Sequence, residues 1–178
     1  MEVTKEYMKL AERDNKCLHK VYYKYWEHPR YKILKDFCKD FKTLLSVGSG
    51  PKEPVLLGST HALDICPDAE KYLRLNKWYG SFTLGSCTEL PFPDKSFDIV
   101  VCSEVIEHLP SIDDVKKAIS EIRRVGCKFI ITTPNSEILA PATQNPAHKQ
   151  FFTLASLKEI IDFPCKVYAA NEHLFIQT

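Results

Sequence analysis

Apolar residues along the chain change their period at about residue 43. Before that point the sequence reads as helix. Residues 4–26 contain neither glycine nor proline. Pro29 can open a second helix at its first position, running to about Lys39. After Thr43 come short apolar runs of strand character: "TLLSV", "HALDI", "SFTLG", "SFDIVVC" and "KFIITT". The fourth is apolar enough to be covered on both faces. Helical stretches fall between and after the runs. One spans residues 68–77 and another roughly 154–162. A third, "SIDDVKKAISEIRRVG", opens on a Ser-x-x-Asp capping signal and repeats Ile112, Val115, Ile119 and Ile122 at helical spacing. The end, "CKVYAANEHLFIQT", is two strand-like halves around Asn171-Glu172, a hairpin.

Strand and helix in alternation predict an α/β fold, a Rossmann-like, doubly wound and mostly parallel sheet. The closing hairpin should add an antiparallel strand at its edge. The organisation expected is one domain over residues 1–178, with a helical cap over 1–42 and a core over 43–178. The 178 residues suit one full core. Tyr22, Tyr23, Tyr25, Trp26 and Tyr31 make the cap rich in aromatics, which suits a lid over a substrate or ordinary packing on the sheet.

Charge narrows the classes little. Formal net charge is +1, which gives no strong nucleic-acid footprint. It is uneven, with 11 Lys and Arg against 7 Asp and Glu in residues 1–42, and 13 against 16 in the rest. Seven cysteines without a C-x-x-C pair, several inside apolar runs, predict reduced thiols in a cytoplasmic protein, not a disulfide framework or zinc site. The charged start carries no secretion signal, and no apolar run approaches a membrane span.

The chemistry begins after the first strand, in "LLSVGSGPKE". Gly48 and Gly50 can let a ligand approach the backbone. Asp64 ends the second strand 16 residues after Gly48, where a carboxylate can accept both hydroxyls of a ribose. These features alone leave the nucleotide open.

The next stretch is more specific. "GSCTELPFPDKSFDIVVCSEVIEHLP" resembles the third- and fourth-strand region of class I S-adenosylmethionine (SAM)-dependent methyltransferases. The resemblance covers residues 43–135 well and the remainder loosely. It implies SAM as cofactor and a methyl acceptor, with a small molecule the expected substrate. Gly48 and Gly50 would lie beside the methionine part, Asp64 on the ribose and Ile65 on the adenine. Ser86 and Cys87 would stand at the adenine edge, and Ser103 near the methionine. Ser46 takes the place of an acid usual near the methionine end, and Lys52 that of a third glycine. Pro51 and Pro54 leave room for only one or two helical turns before the second strand. These departures keep a non-catalytic SAM-binding module in view.

The motif Glu104, Glu107, His108, with His148 further on, resembles the metal-dependent small-RNA 2′-O-methyltransferases. It could share one face of a helical turn. The motif is also widespread in small-molecule methyltransferases that bind no metal. The expected site is therefore a metal-free polar cleft, with Glu104, His108 and His148 as its catalytic groups. "CSEV" replaces the proline-rich sequence that enzymes methylating DNA amines carry after the fourth strand. Residues 135–150 form a long polar loop that would border the substrate.

Overall fold

A computed structural model describes the chain over residues 28–140 and 145–178. The helix expected over 4–26, with Tyr22, Tyr23, Tyr25, Trp26 and Cys17, lies outside the described residues. The first element is α1 (Pro29–Phe37), with Pro29 at its first position and His28 Nδ1 accepting the Arg30 N–H as the cap. Next come β1 (Leu44–Val47), α2 (Glu53–Leu57), β2 (His61–Asp64), α3 (Ala69–Leu75) and β3 (Ser81–Leu84). β4 (Phe97–Ser103) leads into a 3₁₀ turn (Ile106–His108), then α4 (Ile112–Val125) and β5 (Gly126–Pro134). The chain closes with α5 (Leu154–Ile160), β6 (Lys166–Ala170) and β7 (His173–Gln177).

The seven strands form one sheet in the order β3-β2-β1-β4-β5-β7-β6. β1 to β5 run parallel, and β7 is antiparallel to both of its neighbours. This is the doubly wound sheet expected, with one difference at its end. The hairpin puts β7 inside, against β5, and β6 becomes the edge. The apolar run "HLFI" is buried, whereas β6 alternates exposed and half-buried residues. Burial therefore favours β7 as the inner strand.

Period-two alternation sends the strands' side chains to two cores. Leu45, Val47, Val100, Cys102 and Ile131 face α4 and α5, meeting Val115, Ile119, Ile122 and Leu157. Each such buried side chain stabilises the fold by about 1.5–3 kcal/mol. The Ser111 side chain caps α4 by accepting the Asp114 N–H. Leu44, Ile99, Val101, Ile130 and Phe175 face the other way, under Tyr31 and Leu34 of α1 and Leu56 of α2. Tyr31 is thus a core residue on the sheet face. α2 has five residues, in keeping with the room its prolines leave. Cys66, Cys87 and Cys102 are buried, and the described cysteines are all free thiols. No helix among the described residues is long and apolar enough to cross a membrane.

Candidate active site

The strand order reverses between β1 and β4, so their onward connections leave on opposite faces. A crevice opens at the carboxyl ends of the two strands. Gly48 and Gly50 follow β1 with φ of +63° and +54°, a conformation side chains disfavour. A Cβ on Gly48 would lie 2.4 Å from Cγ2 of Val105. The space left by that missing side chain is filled by the loop after β4, not kept for a ligand. Gly48 therefore serves closure of the crevice floor.

Asp64 joins two loops. Gly50 N–H donates to its Oδ2 at 2.8 Å, and Cys66 N–H donates to its Oδ1 at 2.8 Å. Each oxygen keeps further acceptor capacity for a ligand's hydroxyls. Burial raises the Asp64 carboxyl above its ordinary range, and the N–H bonds oppose that. Beside it, Ile65 is 71% exposed and Leu84, opposite Asp64 in the β2–β3 register, is 58% exposed. Two large apolar side chains presented to solvent at neighbouring strand ends suit the face of a planar base. Ser86 Oγ shares a hydrogen bond with Thr88 Oγ1 at 2.8 Å and accepts the Thr88 N–H. The Cys87 side chain belongs to the core, where burial pushes its thiol up to about 11. Only its backbone is left to meet a ligand.

Ser46 is fully buried and bonded to Ser59 Oγ at 2.8 Å. Its hydroxyl, like that of Ser103 at the end of β4, is near enough to the Glu53 carboxyl to favour the ionised form. Glu53 opens α2 and is itself buried. Burial pushes its carboxyl up to about 8, against the pull of Arg30 and the two serines. Its Oε1 is buried without a hydrogen-bond partner. Sequence reasoning missed this residue. The available signal was an acid three positions after Gly50, in a chain with none at position 46.

Glu104 and Glu107 do not share a face. Glu104 adopts a left-handed φ of +59°, which turns the chain sharply before the 3₁₀ turn. The consecutive residues Thr132 and Thr133 of β5 point to opposite sides of the sheet. Thr132 Oγ1 donates to Glu104 Oε1, and Thr133 Oγ1 donates to Glu107 Oε2, both at 3.0 Å. Glu104 thereby joins the α1 side, where Arg30 Nη1 lies 3.0 Å from its Oε2 and His173 Nε2 lies 3.4 Å from it. Burial would raise the Glu104 carboxyl, but Arg30 and His173 outweigh it and hold the group below its ordinary range.

Glu107 gathers instead with both histidines. One ligand-capable atom from each of Glu107, His108 and His148 lies within 4.8 Å of the others. The imidazoles meet edge-on at 4.7 Å between centroids. Burial, then the charge of Glu104, raises the Glu107 carboxyl well above its ordinary range. Burial lowers both histidines, which are therefore neutral at pH 7. His108 Nδ1 lies 3.3 Å from the Ala147 carbonyl. A carbonyl only accepts, so Nδ1 bears the hydrogen and Nε2 is the basic nitrogen. The loop carrying His148 is pinned to the 3₁₀ turn, with Lys149 and Gln150 N–H donating to Glu107 O at 2.7 and 2.9 Å.

Residues 45–128 match the family described as a methyltransferase domain. A Mycolicibacterium smegmatis protein named a probable S-adenosylmethionine-dependent methyltransferase is 35% identical over 81 residues, 44% of this chain and 32% of that one. A rice protein named a probable chloroplastic tocopherol O-methyltransferase is 39% identical over 75 residues, 36% of this chain and 20% of that one. The matched segments thus span a third or less of these two relatives. The crystal structure of PH0226 from Pyrococcus horikoshii superposes with a TM-score of 0.70 at 18% identity, over 88% of this chain and 89% of that one. Sheet order and the structural likeness define a Rossmann-like α/β domain. The chain is similar to the methyltransferase domain family over residues 45–128 and to a protein named as an S-adenosylmethionine-dependent methyltransferase, a likeness that implies SAM as cofactor, and the fold is the one that the Pyrococcus structure shares.

Proposed function

We propose that this chain transfers the methyl group of SAM to a small-molecule acceptor with a protic nucleophile, a hydroxyl or an amine. The observation that carries the reading is the Asp64 carboxylate, tied to the loops after β1 and β2 at the reversal of strand order. Asp64 accepts from the ribose hydroxyls, Ile65 and Leu84 cover the adenine, and Ser86 meets its amine. Gly50 and Ser103 flank the methionine part. The cofactor, when bound, supplies a methyl group on a positively charged sulfur, open to in-line attack. The protein's share is then positioning and proton removal. Neutral His108, basic at Nε2, takes the acceptor's proton, and His148 stands against it. Glu104 acts at one remove, through Arg30 and His173. The rice relative is named for a small acceptor, and a net charge of +1 does not favour a polyanion. A cytoplasmic setting fits the free thiols of the described residues. The test is transfer from labelled SAM to pooled small molecules, proteins and RNAs. Label confined to a small-molecule pool supports the reading. Binding of SAM with no transfer to any pool would leave a binding module.

A second reading, metal-dependent ribose 2′-O-methylation, draws on the convergence of Glu107, His108 and His148, one carboxylate and two imidazoles. That donor set suits Mn²⁺, Fe²⁺ or Zn²⁺. Glu104, the fourth residue of the motif, is instead committed to Arg30 and His173, which weighs against a four-ligand site. Stoichiometric metal in the purified protein, with transfer to RNA abolished by chelation, would make this reading the correct one.

A further inference from the structure

We infer that Glu53 is the anion that receives the α-ammonium group of the cofactor, in place of the acid that Ser46 lacks. The inference rests on the reading of the crevice as a SAM site and adds to it a residue and a coupled proton.

The placement comes first. Glu53 is buried where α2 opens, directly after the loop that follows β1, and the Ser46 hydroxyl of β1 and the Ser103 hydroxyl of β4 are near enough to favour its ionised form. These strands are hydrogen-bonded neighbours and flank the reversal of strand order, with Val47 opposite Cys102. A carboxyl held between them stands at the crevice where such sheets take their ligands. The two positions are also complementary. Ser46 is small enough for Glu53 to reach it, and a carboxylate at 46 would set two buried acids side by side.

The second observation is the vacant Oε1. It is buried and has no hydrogen-bond partner. A buried polar atom without a partner is destabilising, and such atoms are few in folded proteins. An ammonium donor supplies what is missing. Arg30, the nearest cation, already gives Nη1 to Glu104 and His173. Arg30 still favours ionisation of Glu53 through space, but its Nη1 is engaged with Glu104 and His173, and Glu53 Oε1 has no donor of its own.

Every packed element contributes to its protonation state. Burial opposes ionisation most, Arg30 from α1 favours it, Ser103 and Ser46 favour it, and Glu104 opposes it. Cys38 after α1 and Cys102 in β4 also face the Glu53 charge, but burial keeps both thiols neutral. The result is a carboxyl that titrates at about 8 and is protonated at neutral pH. When the ammonium docks, the Glu53 O–H bond breaks, its proton passes to the buffer, and the carboxylate accepts an ammonium N–H. The charge entering with the ligand is balanced by the proton leaving.

The experiment is calorimetric titration at pH 6.5, below the α-amino range of about 7.7–8.0, in two buffers of different ionisation heat. The ligands are S-adenosylhomocysteine and 5′-methylthioadenosine, which keeps the nucleoside and the sulfur but has no ammonium. The wild type should release close to one proton with the first ligand and none with the second. Glu53→Gln, which mimics the neutral acid in shape, should bind S-adenosylhomocysteine about ten- to a hundredfold more weakly, without that release. Its affinity for 5′-methylthioadenosine should be unchanged. Equal proton counts in wild type and variant, or equal loss for both ligands, would overturn the inference while the SAM reading stands. Failure of the wild type to bind either ligand would overturn both. The wild-type proton count tests the idea even if the variant does not fold.

Discussion

Arg30 Nη1 lies 3.0 Å from Glu104 Oε2 and 3.1 Å from His173 Nε2. One guanidinium therefore fastens α1 to the end of β4 and the start of β7. Removing it leaves a largely buried carboxylate without its cation beside Glu53, a second buried acid that Arg30 also favours. Arg30→Met should lower stability by about 3 kcal/mol at pH 7, the scale for breaking a buried pair. The folded protein holds the Glu104 carboxyl below its ordinary range. That contribution is complete above the unfolded carboxyl range and disappears as pH falls through the lowered value. The gap between wild type and variant in urea unfolding should be full at pH 7 and close below about pH 4. A gap that does not change with pH would assign the loss to packing.

Asp64 ties two loops together, and on the proposed function it also holds the cofactor. Asp64→Ala should weaken binding of S-adenosylhomocysteine by about 1.5–3 kcal/mol, the range for hydrogen bonds to a charged group. It also orphans the N–H groups of Gly50 and Cys66. Asp64→Asn keeps one acceptor oxygen and should lose less stability than the alanine variant. Calorimetry and thermal unfolding on the two variants separate these effects.

Gly48 and Val105 should behave as a coupled pair. Gly48→Ala meets a left-handed backbone and a methyl group at 2.4 Å, and should destabilise the fold by about 2–4 kcal/mol. Val105→Ala removes the collision but not the backbone strain. The double variant should be more stable than the sum of the single losses by about 1 kcal/mol. Strict additivity in thermal unfolding would show that Val105 does not set the requirement for glycine.

The paired imidazoles fix a pH dependence. A general base works in its neutral form, and burial lowers both His108 and His148. Methyl transfer to an acceptor found in the labelled-SAM screen should be level around pH 7 and fall only below about pH 6.5. His108→Gln should lower kcat by about 10²–10⁴-fold with little change in the KM for SAM. A profile that declines already above pH 7 would assign proton removal to another group.

The parts of this fold written in short-range pattern were legible from the sequence. Pro29 at a helix start, the Ser111 cap, the period of Val115, Ile119 and Ile122, and the turn at Asn171 are all local signals. The glycine loop and Asp64 were legible because their spacing is fixed by one strand-loop-strand unit. The Arg30–Glu104–His173 contact was not, since it joins three elements that only the finished sheet brings together. Glu53 was hidden because a glutamate at the start of a short helix ordinarily faces water. The motif at residues 104–108 suggested one helical face, but the left-handed φ of Glu104 parts its two acids across the sheet. No single-residue propensity announces that turn.

The strap that carries His148 is tied down by its backbone, through two N–H groups that converge on the carbonyl of Glu107. Two side chains add to the tether: Asn145 Oδ1 accepts the Ala147 N–H, and Gln150 Nε2 donates to the Leu109 and Pro110 carbonyls. Lineages of such a protein can rewrite the other exposed letters of the loop, and so the shape presented to an acceptor, while the imidazole keeps its station. If the proposed roles hold, substrate preference and proton chemistry are inherited on separate threads, and a library randomised at exposed Pro146 and Lys149 would vary the first while sparing the second.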